Sequence, residues 1–527
     1  MRSIIKRYLY IVFLVLMFPS SVFATNWYVD GTLVTGSNNG TSWANAWRTL
    51  GAVQWGGGGV TAGDTLYISG GSTSKTYTAT ANGMLTVGAS GTSGNRITIA
   101  TGAKSPSPTG HDGTVIFSGN GSYFGLVTVD SRNYITIDGE KNGASNWEMT
   151  DTQMVSDASP MEGHSSNFVV IQYLTIHNVA MGINCASSND LEIAYCNIYD
   201  IRQEAGIRSI ASNSGATTYG RTKIHHNSIR INTTLSGGYG PDGIQTGVST
   251  SVYNNSFSSI NGTVTGTQHP DFIQSAGAYH AIYNNEFRNP IDSAVDVDAG
   301  WNWDGYVDHL RVYNNVFTSD SNCSAASSWP SGIRVYLSAG TWQNQTMDDV
   351  IIANNTFVDF HGNDSGSLYA SQPIKFENVP SGVTPGTDFV IQNNLFYNSA
   401  NSNYSIVNIP NTNANAASWN VDYNLVNAGA HGTTVLTVDG SSYTQAHPFN
   451  SVPSFVSYSE GNPSNDYRLA SGDTAAKDHG ADLSAFFQTD KDGITRSGAW
   501  DIGAYEYTTG SSPISATNCT ITGGSIR

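Results

Sequence analysis

Two near-copies of one short motif contain the residues of this sequence best suited to chemistry. Pro241 to Thr246 reads Pro-Asp-Gly-Ile-Gln-Thr, and Pro270 to Ser275 reads Pro-Asp-Phe-Ile-Gln-Ser. Each motif predicts a short strand in which the isoleucine points into a core while the aspartate and the glutamine point outward. Stacking such strands about 4.8 Å apart would bring Asp242 and Asp271 within reach of one cation or one shared proton.

The same frame continues in the neighbouring segments. Its third position is aliphatic in every segment, which predicts a buried stack on one face. Its fourth position holds hydrogen-bonding and charged residues, namely Asn184, Arg208, Gln245, Gln274, Asp296, Arg334 and Lys375. We expect these side chains to form an outer column on one sheet, and we expect the chemistry of the protein in that column.

The aspartates of this region are candidate metal ligands. Asp242, Asp271, Asp296 and Asp298 fall on three consecutive repeats, and the glutamines of the two motifs add carbonyl oxygens. Ca²⁺ takes oxygen ligands of this kind. Stacked like charges destabilise a sheet, which favours a functional interpretation. The alternative is an acidic stripe that turn amides and water satisfy.

Other polar and aromatic residues are candidate contacts for a substrate. His269 directly precedes the second motif and is a candidate base or substrate contact, although a lone loop histidine is also common as a structural residue. The candidate substrate-binding residues are Arg208, Gln245, Gln274, Trp301, Trp303 and Tyr336. The aromatic residues among them would stack on sugar rings, and the alternative is that they belong to the core.

The composition indicates a β-rich exported protein. Charged residues make up 12% of the 527 residues, and the net charge is −17. This charge argues against nucleic acid and anionic membranes as partners. Arg2, Lys6 and Arg7 precede an apolar run and a small-residue exit at Ala24, which together predict a signal peptide. We therefore expect a secreted or periplasmic protein, and a monomer.

The four cysteines show no spacing typical of a zinc site. Cys185 and Cys196 are a candidate disulfide pair in an exported protein. The alternative, that these cysteines are buried as small apolar residues, fits the general burial habit of cysteine.

The elements that must position the outer column are predicted from two further patterns. Ser42 to Trp55 has apolar residues at helical spacing, which predicts a short helix that caps the first repeat. Asparagines recur at intervals of roughly 30 to 40 residues, mostly as Asn-Asn-x-Phe. They are Asn197, Asn227, Asn255, Asn285, Asn315, Asn355, Asn394 and Asn424. These intervals predict coils of three short strands with an asparagine ladder at one corner.

Across about residues 63 to 425 the chain resembles right-handed parallel β-helix proteins of the pectate-lyase-like superfamily. The resemblance rests on the repeats, on Tyr28-Val29-Asp30 and on the closing segment Asp501 to Glu506. It implies an all-β right-handed parallel β-helix in which Asp242, Asp271 and Asp296 bind Ca²⁺. It also implies that Arg334 is the base and that Lys375 holds the substrate or replaces Arg334 as the base.

These observations lead to one functional hypothesis and three alternatives. The hypothesis is a secreted lyase that cleaves an acidic polysaccharide by Ca²⁺-assisted β-elimination. The alternatives are a glycoside hydrolase with paired aspartates, an uronate C5-epimerase, and a non-catalytic carbohydrate-binding or surface solenoid. The expected domains are a signal peptide (1–24), an N-terminal cap (25–62), a β-helix (63–439), C-terminal coils with a cap (440–507) and a flexible tail (508–527).

Overall fold

The computed structural model describes most of the chain after the first 23 residues. The described ranges are 24–153, 158–210, 217–232, 240–260, 269–298, 306–319, 331–336, 346–360, 372–377, 389–399, 406–409, 419–427, 436–438 and 441–509. The predicted signal peptide up to residue 23 and most of the predicted tail therefore lie outside the described residues. The chain divides into two compact units, residues 1–197 and 198–527.

Parallel strands of three sheets, here called sheets 1, 2 and 3, dominate both units. In the first unit, sheet 1 contains Asn26–Val29, Thr65–Ile68, Ile97–Thr101, Ile135–Asp138, Val170–Gln172 and Glu192–Ala194. Sheet 2 contains Ser74–Thr78, Thr114–Ser118, Trp147–Thr150 and Leu174–Val179. Sheet 3 contains Leu85–Thr86, Val127–Thr128, Met161–Glu162 and Ile183–Asn184. A small antiparallel pair joins Glu140–Lys141 and Ala144–Ser145.

The second unit repeats the same order of strands. Sheet 1 contains Thr222–His225, Thr250–Tyr253, His280–Tyr283, Tyr306–Tyr313, Thr346–Ala353, Phe389–Gln392 and Trp419–Asp422. Sheet 2 contains Ser228–Asn232, Ser256–Ile260, Glu286–Arg288, Val316–Thr318, Thr356–Val358, Leu395–Tyr397 and Leu425–Asn427, and the division between the units falls inside its strand Asn197–Ile201.

Sheet 3 of the second unit contains Ala205–Ser209, Asp242–Thr246, Ile273–Ser275, Ser293–Asp298, Ser331–Tyr336, Gln372–Glu377, Val407–Asn408 and Leu436–Val438, to which Ser441–Ser442 adds antiparallel. A separate antiparallel pair joins Phe455–Ser457 and Asp466–Leu469. Each coil thus passes through sheets 3, 1 and 2 in turn, which confirms the predicted parallel β-helix of three-strand coils.

The interior is built from stacks of like residues, as the repeat predicts. The phenylalanines of the Asn-x-Phe frame stack from Phe257 through Phe287 and Phe317 to Phe357, with ring centroids 5.0, 4.8 and 4.4 Å apart. The aliphatic residues at the third position of the sheet 3 frame are all fully buried. Burial of this continuous apolar column is the main stabilising contribution of such a fold.

The predicted asparagine ladder is present between residues 227 and 424. Each ladder asparagine donates its backbone N–H and its side-chain N–H to the Oδ1 atom of the next one. The Asn255–Asn285 pair, at 2.9 and 3.0 Å, is typical. The ladder ends where Asn424 donates to Gln445 Oε1 at 2.8 and 2.9 Å. These amides are buried and fully hydrogen-bonded, so the ladder stabilises the corner without exposing a polar group to water.

Asn197 was assigned to this ladder by the sequence pattern, and that assignment is wrong. Asn197 is exposed and begins a strand, while the preceding residue Cys196 is buried. A left-handed residue precedes the ladder position in each repeat, namely Tyr195 (φ 56°) before Cys196 and His226 (φ 55°) before Asn227. The thiol of Cys196 therefore occupies the position that asparagine occupies in the later repeats.

The first asparagine of three of the Asn-Asn pairs holds a C-terminal segment against the corner. Asn314, Asn354 and Asn393 donate side-chain N–H groups to the carbonyl oxygens of Thr489, Asp501 and Ala481, at 2.7, 2.9 and 2.8 Å. Arg496, whose side chain is fully buried, donates to Asn314 Oδ1 at 3.0 Å and to Glu506 Oε2 at 3.1 Å. The segment therefore spans several repeats through side-chain contacts.

Two further sequence predictions need correction. The helix predicted for Ser42 to Trp55 is absent, and two 3₁₀ turns, Trp43–Asn45 and Leu50–Ala52, take its place. Between them, the backbone of Trp47 hydrogen-bonds to the first strand, which removes the bonds that a helix would need and covers that strand's edge. Gly102–Lys104 is a third 3₁₀ turn.

Cys185 and Cys196 are buried thiols that form no disulfide, so the apolar alternative holds for both. Cys323 and Cys519 lie outside the described residues. In the part of the chain that the structure describes, no helix is long and apolar enough to cross a membrane.

Candidate functional site

Sheet 3 of the second unit aligns the predicted outer column strand by strand. In Cα register, Arg208 pairs with Gln245, Gln245 with Gln274, and Gln274 with Asp296. Asp296 pairs with Arg334, and Arg334 pairs with Lys375. The buried third position of the frame fixes this register. Side chains alternate between the two faces of a strand, so a one-residue slip would expose the whole apolar stack. The acidic and basic candidates are therefore neighbours.

Asp242 begins its strand, Asp271 lies two residues before its strand, and the two are stacked, as predicted. One carboxylate oxygen of each is used by the backbone of the next repeat. Asp242 Oδ1 accepts from the N–H of Asp271 at 2.9 Å, and Asp271 Oδ1 accepts from the N–H of Ser293 at 2.8 Å. The sequence predicts carboxylates on the outer face, but both are buried, with 3% and 0% exposure. Hydrogen bonding to the turn holds them against the backbone.

The second oxygens of these carboxylates face other polar groups. Asp242 Oδ2 accepts from Gln245 Nε2 at 2.8 Å. Asp271 Oδ2 is buried without a hydrogen-bond donor among the described residues and lies 3.5 Å from His269 Nδ1. Ligand atoms of Asp242, His269 and Asp271 all lie within 4.8 Å of one another, so these three residues could hold a metal ion.

Burial and mutual repulsion perturb the acids of this site. Burial, and then the Asp271 carboxylate, raise the pKa of Asp242 well above its usual value. The same two causes raise the pKa of Asp296, against the opposing effect of Arg334. The interaction with Asp271 raises the pKa of His269 to about 9, although burial of the imidazole opposes this. Like charges in a shared buried space are typical of functional sites.

A second cluster follows on the next strands. Arg334 Nε donates to Glu377 Oε2 at 2.8 Å, and its NH1 group lies 3.3 Å from Asp296 Oδ2. Lys375 Nζ contacts Glu377 Oε1. The guanidinium lies over the ring of Tyr336, 4.7 Å from its centroid. Glu377 therefore links the two cations of the column.

The surroundings of Arg334 bear on its predicted role as a base. Burial lowers the pKa of this guanidinium, but the carboxylates of Asp296 and Glu377 outweigh burial and raise the pKa above its already high usual value. A base must release its proton at working pH, and this arrangement stabilises the protonated form. Arg334 is thus suited to binding an anion.

Two residues of the site were missed by the sequence analysis. Asp292 is 8% exposed, and burial together with the Asp271 carboxylate raises its pKa to about 7. The sequence feature that could have revealed Asp292 is a proline two residues before it, whereas in the two aspartate motifs the proline directly precedes the aspartate. Glu377 was missed because only the fourth position of the frame was followed. The sixth position aligns Asp298, Tyr336 and Glu377 on neighbouring strands.

The other predicted site residues differ in what surrounds them. Gln274 is buried in the column between Gln245 and Asp296. Arg208 lies at the N-terminal end of the column in this unit, next to Gln245. Asp298 pairs in register with Tyr336, away from Asp242. Asp296 Oδ1 and Gln245 Oε1 are buried acceptors without a donor among the described residues. Trp301 and Trp303 lie outside the described residues.

Comparison with known proteins gives matches among solved structures alone. No family model matches the chain, and no curated protein matches it. The pectate lyase Pel9A is 14% identical, with 93% of this chain and 98% of that chain covered and a TM-score of 0.38. A rhamnogalacturonan lyase is 15% identical, with 69% and 90% covered and a TM-score of 0.34. A complex of XylC with xylose is 10% identical, with 92% and 98% covered and a TM-score of 0.42. By its own three sheets, the chain is a parallel β-helix protein.

Proposed function

We propose that this chain is an enzyme that cleaves an acidic, uronate-containing polysaccharide by β-elimination. The observation that carries the proposal is the pair of cations Arg334 and Lys375 on adjacent strands, directly beyond a group of buried carboxylates. β-Elimination needs a positive charge beside the uronate carboxylate, where negative charge builds up, and a base near the adjacent carbon-bound proton. Arg334 can supply the positive charge, and Lys375, in its neutral amine form, can supply the base.

In the proposed mechanism, Arg334 binds the uronate carboxylate and Lys375 removes the proton. Asp296 and Glu377 keep Arg334 charged and oriented, so its charge is in place before the reaction begins. Lysine is the better base because an ammonium gives up its proton far more readily than a guanidinium. This exchanges the roles that the sequence analysis gave to the two residues. The electron pair of the C–H bond then forms a C=C bond as the C–O bond breaks, the departing sugar oxygen takes a proton from water, and an unsaturated end remains.

The Ca²⁺ predicted from the sequence does not fit the observed donor set. Asp242, Asp271, Asp296 and Asp298 do not form one group, because Asp296 contacts Arg334 and the third member beside Asp242 and Asp271 is the imidazole of His269. Ca²⁺ takes six to eight oxygen ligands. The proposed mechanism therefore uses no step that depends on Ca²⁺.

A glycoside hydrolase is the second candidate function, and Asp292 is the observation that favours it. A buried carboxyl group whose pKa is about 7 is still partly protonated at neutral pH and can act as a general acid. A neighbouring aspartate would then supply the second carboxyl group, as nucleophile or base. The substrate in both cases is a polysaccharide, and we propose that the protein is exported to reach it.

The experiment that tests the proposal is a screen of the purified protein on uronate-containing and neutral polysaccharides. Products of β-elimination absorb in the ultraviolet, whereas hydrolysis gives saturated ends. We expect ultraviolet-absorbing products from a uronate polymer, and loss of these products in Lys375→Ala. Saturated products, with Asp292→Asn as the inactive variant, would establish the hydrolase. Absence of cleavage of every polymer would contradict both proposals.

A further inference from the structure

The group Asp242, His269 and Asp271 has the arrangement of ligands around one ion. Asp271 Oδ2 and His269 Nδ1 are 3.5 Å apart, which is long for a hydrogen bond. Two ligands about 2.1 Å from one ion are separated by about 3 to 3.4 Å at right or tetrahedral angles. The observed separation therefore suits two ligands of a shared cation better than it suits a donor and an acceptor.

The remaining bonds of the two carboxylates hold them in orientation for such a role. Each Oδ1 atom is fixed by the backbone N–H of the next repeat, and Gln245 Nε2 donates to Asp242 Oδ2. Hydrogen bonds of this kind orient ligands around metal ions in proteins. Asp271 Oδ2 is fully buried and accepts no hydrogen bond from the described residues, which is a second observation that suits a ligand atom.

Three carboxyl groups are buried at this site, those of Asp242, Asp271 and Asp292, and the imidazole of His269 lies beside them. Burying several carboxylates near one another is unfavourable unless a positive charge compensates them. A divalent ion on Asp242 and Asp271 would remove this repulsion.

We propose that Asp242, His269 and Asp271 form a site for a divalent cation that accepts both nitrogen and oxygen ligands, of the Zn²⁺ type. Imidazole with two carboxylates suits such ions, whereas Ca²⁺ prefers oxygen ligands alone. Three protein ligands leave positions open, which is typical of catalytic and not of structural sites. The side chain of His269 is 44% exposed, so the site is open to solvent beside this imidazole. The ion would bind an anionic group of the substrate beside Arg334.

This inference concerns the site of the proposed function, but metal binding can be measured without any activity. Purified protein is freed of metal with a chelator and titrated separately with Zn²⁺, Mn²⁺ and Ca²⁺ by calorimetry, and its melting temperature is recorded with each ion. We expect one Zn²⁺ per chain, weaker binding of Mn²⁺, and the weakest binding of Ca²⁺. The bound ion should raise the melting temperature, because it binds the folded state.

Variants separate this site from adventitious binding. His269→Ala should weaken Zn²⁺ binding at least tenfold and remove the rise in melting temperature, and circular dichroism will show whether it is folded. Asp271→Asn provides a second variant. His164→Ala is the matched control, because His164 is a partly exposed histidine 2.6 Å from the buried Glu162 on sheet 3 of the first unit.

Binding of Zn²⁺ unchanged in His269→Ala, or Ca²⁺ binding tighter than Zn²⁺, would overturn the proposal. No binding of any ion would overturn it as well. Zn²⁺ binding in a protein that cleaves no polysaccharide would support the metal site and contradict the proposed function.

Discussion

The asparagine corner and the aspartate column of the second unit are stacks with the same spacing but opposite chemistry. At the corner, each asparagine amide both donates and accepts, so Asn255, Asn285 and Asn315 satisfy one another. In the column, ionised carboxylates can only accept, so Asp242 and Asp271 cannot satisfy each other in that form and need other partners. We infer that a stack whose members satisfy one another's hydrogen bonds, here the complete stack, stabilises the fold. A stack whose members need other partners, here the incomplete stack, is a candidate functional site.

We expect that removing a basic side chain from the aspartate column lowers activity and leaves the fold intact. Lys375→Ala should lower the cleavage rate by about 10²- to 10⁴-fold, because proton removal loses its base. The rate is measured by the ultraviolet absorbance of the products, together with the melting temperature. Lys223→Ala, at an exposed position in sheet 1, is the control and should retain full activity. An active Lys375→Ala enzyme would mean that another residue is the base.

A second prediction concerns a buried polar group that is satisfied only while it is neutral. His280 is 1% exposed, and its Nε2 atom lies 3.0 Å from the carbonyl oxygen of Ala276. Burial lowers the pKa of His280 to about 4, against a value of about 6.5 in the unfolded chain. The unfolded state thus binds more protons between these values, so the free energy of unfolding should fall as pH decreases from about 6.5 to 4, by up to about 3 kcal/mol.

The measurement for this prediction is urea unfolding between pH 4 and 7. His280→Gln keeps an N–H donor but does not titrate, so its unfolding free energy should change less with pH across this range. An equal pH dependence in the variant and the wild type would assign the acid sensitivity to other groups.

The third prediction concerns the asparagine ladder. Asn285→Ala should lower the free energy of unfolding by about 1 to 3 kcal/mol, because it leaves the side-chain N–H of Asn255 and the Asn315 Oδ1 atom with fewer partners. Chemical denaturation measures the effect. Asn284→Gly is the control, since Asn284 has a φ of 57°, which glycine adopts without strain. A change in Asn284→Gly as large as that in Asn285→Ala would contradict the assigned role of the ladder.

The fourth prediction has the smallest expected effect and concerns an ion pair near the asparagine corner. Lys491 Nζ lies 3.0 Å from Glu286 Oε1, and the glutamate side chain is 56% exposed. Exposed ion pairs contribute little, so Lys491→Ala should change the free energy of unfolding by less than about 1 kcal/mol. Thermal unfolding measures it. A larger loss would show that the C-terminal segment depends on this contact and not on the buried Arg496.

The sequence by itself determined the repeat and its register. Aliphatic residues at the third position of the frame cannot be exposed as a set, so they fixed which residues face outward and which strands are neighbours. The alignment of Asp296, Arg334 and Lys375 followed from that, as did most of the asparagine ladder. The exception, Cys196 in place of Asn197, arose because the ladder position itself holds a cysteine and the residue after it is an asparagine.

Which charged groups meet depends on the folded chain. Side-chain pairing across strands depends on rotamers, on turn geometry and on burial, and the sequence pattern does not specify these. His269 lies beside Asp242 and Asp271, while Asp296 contacts Arg334. Arg496 and Asn314 are hydrogen-bonded but lie 182 residues apart in the chain, so no local sequence pattern predicts their contact. Local periodicity thus specified the scaffold, and the folded environment specified the chemistry.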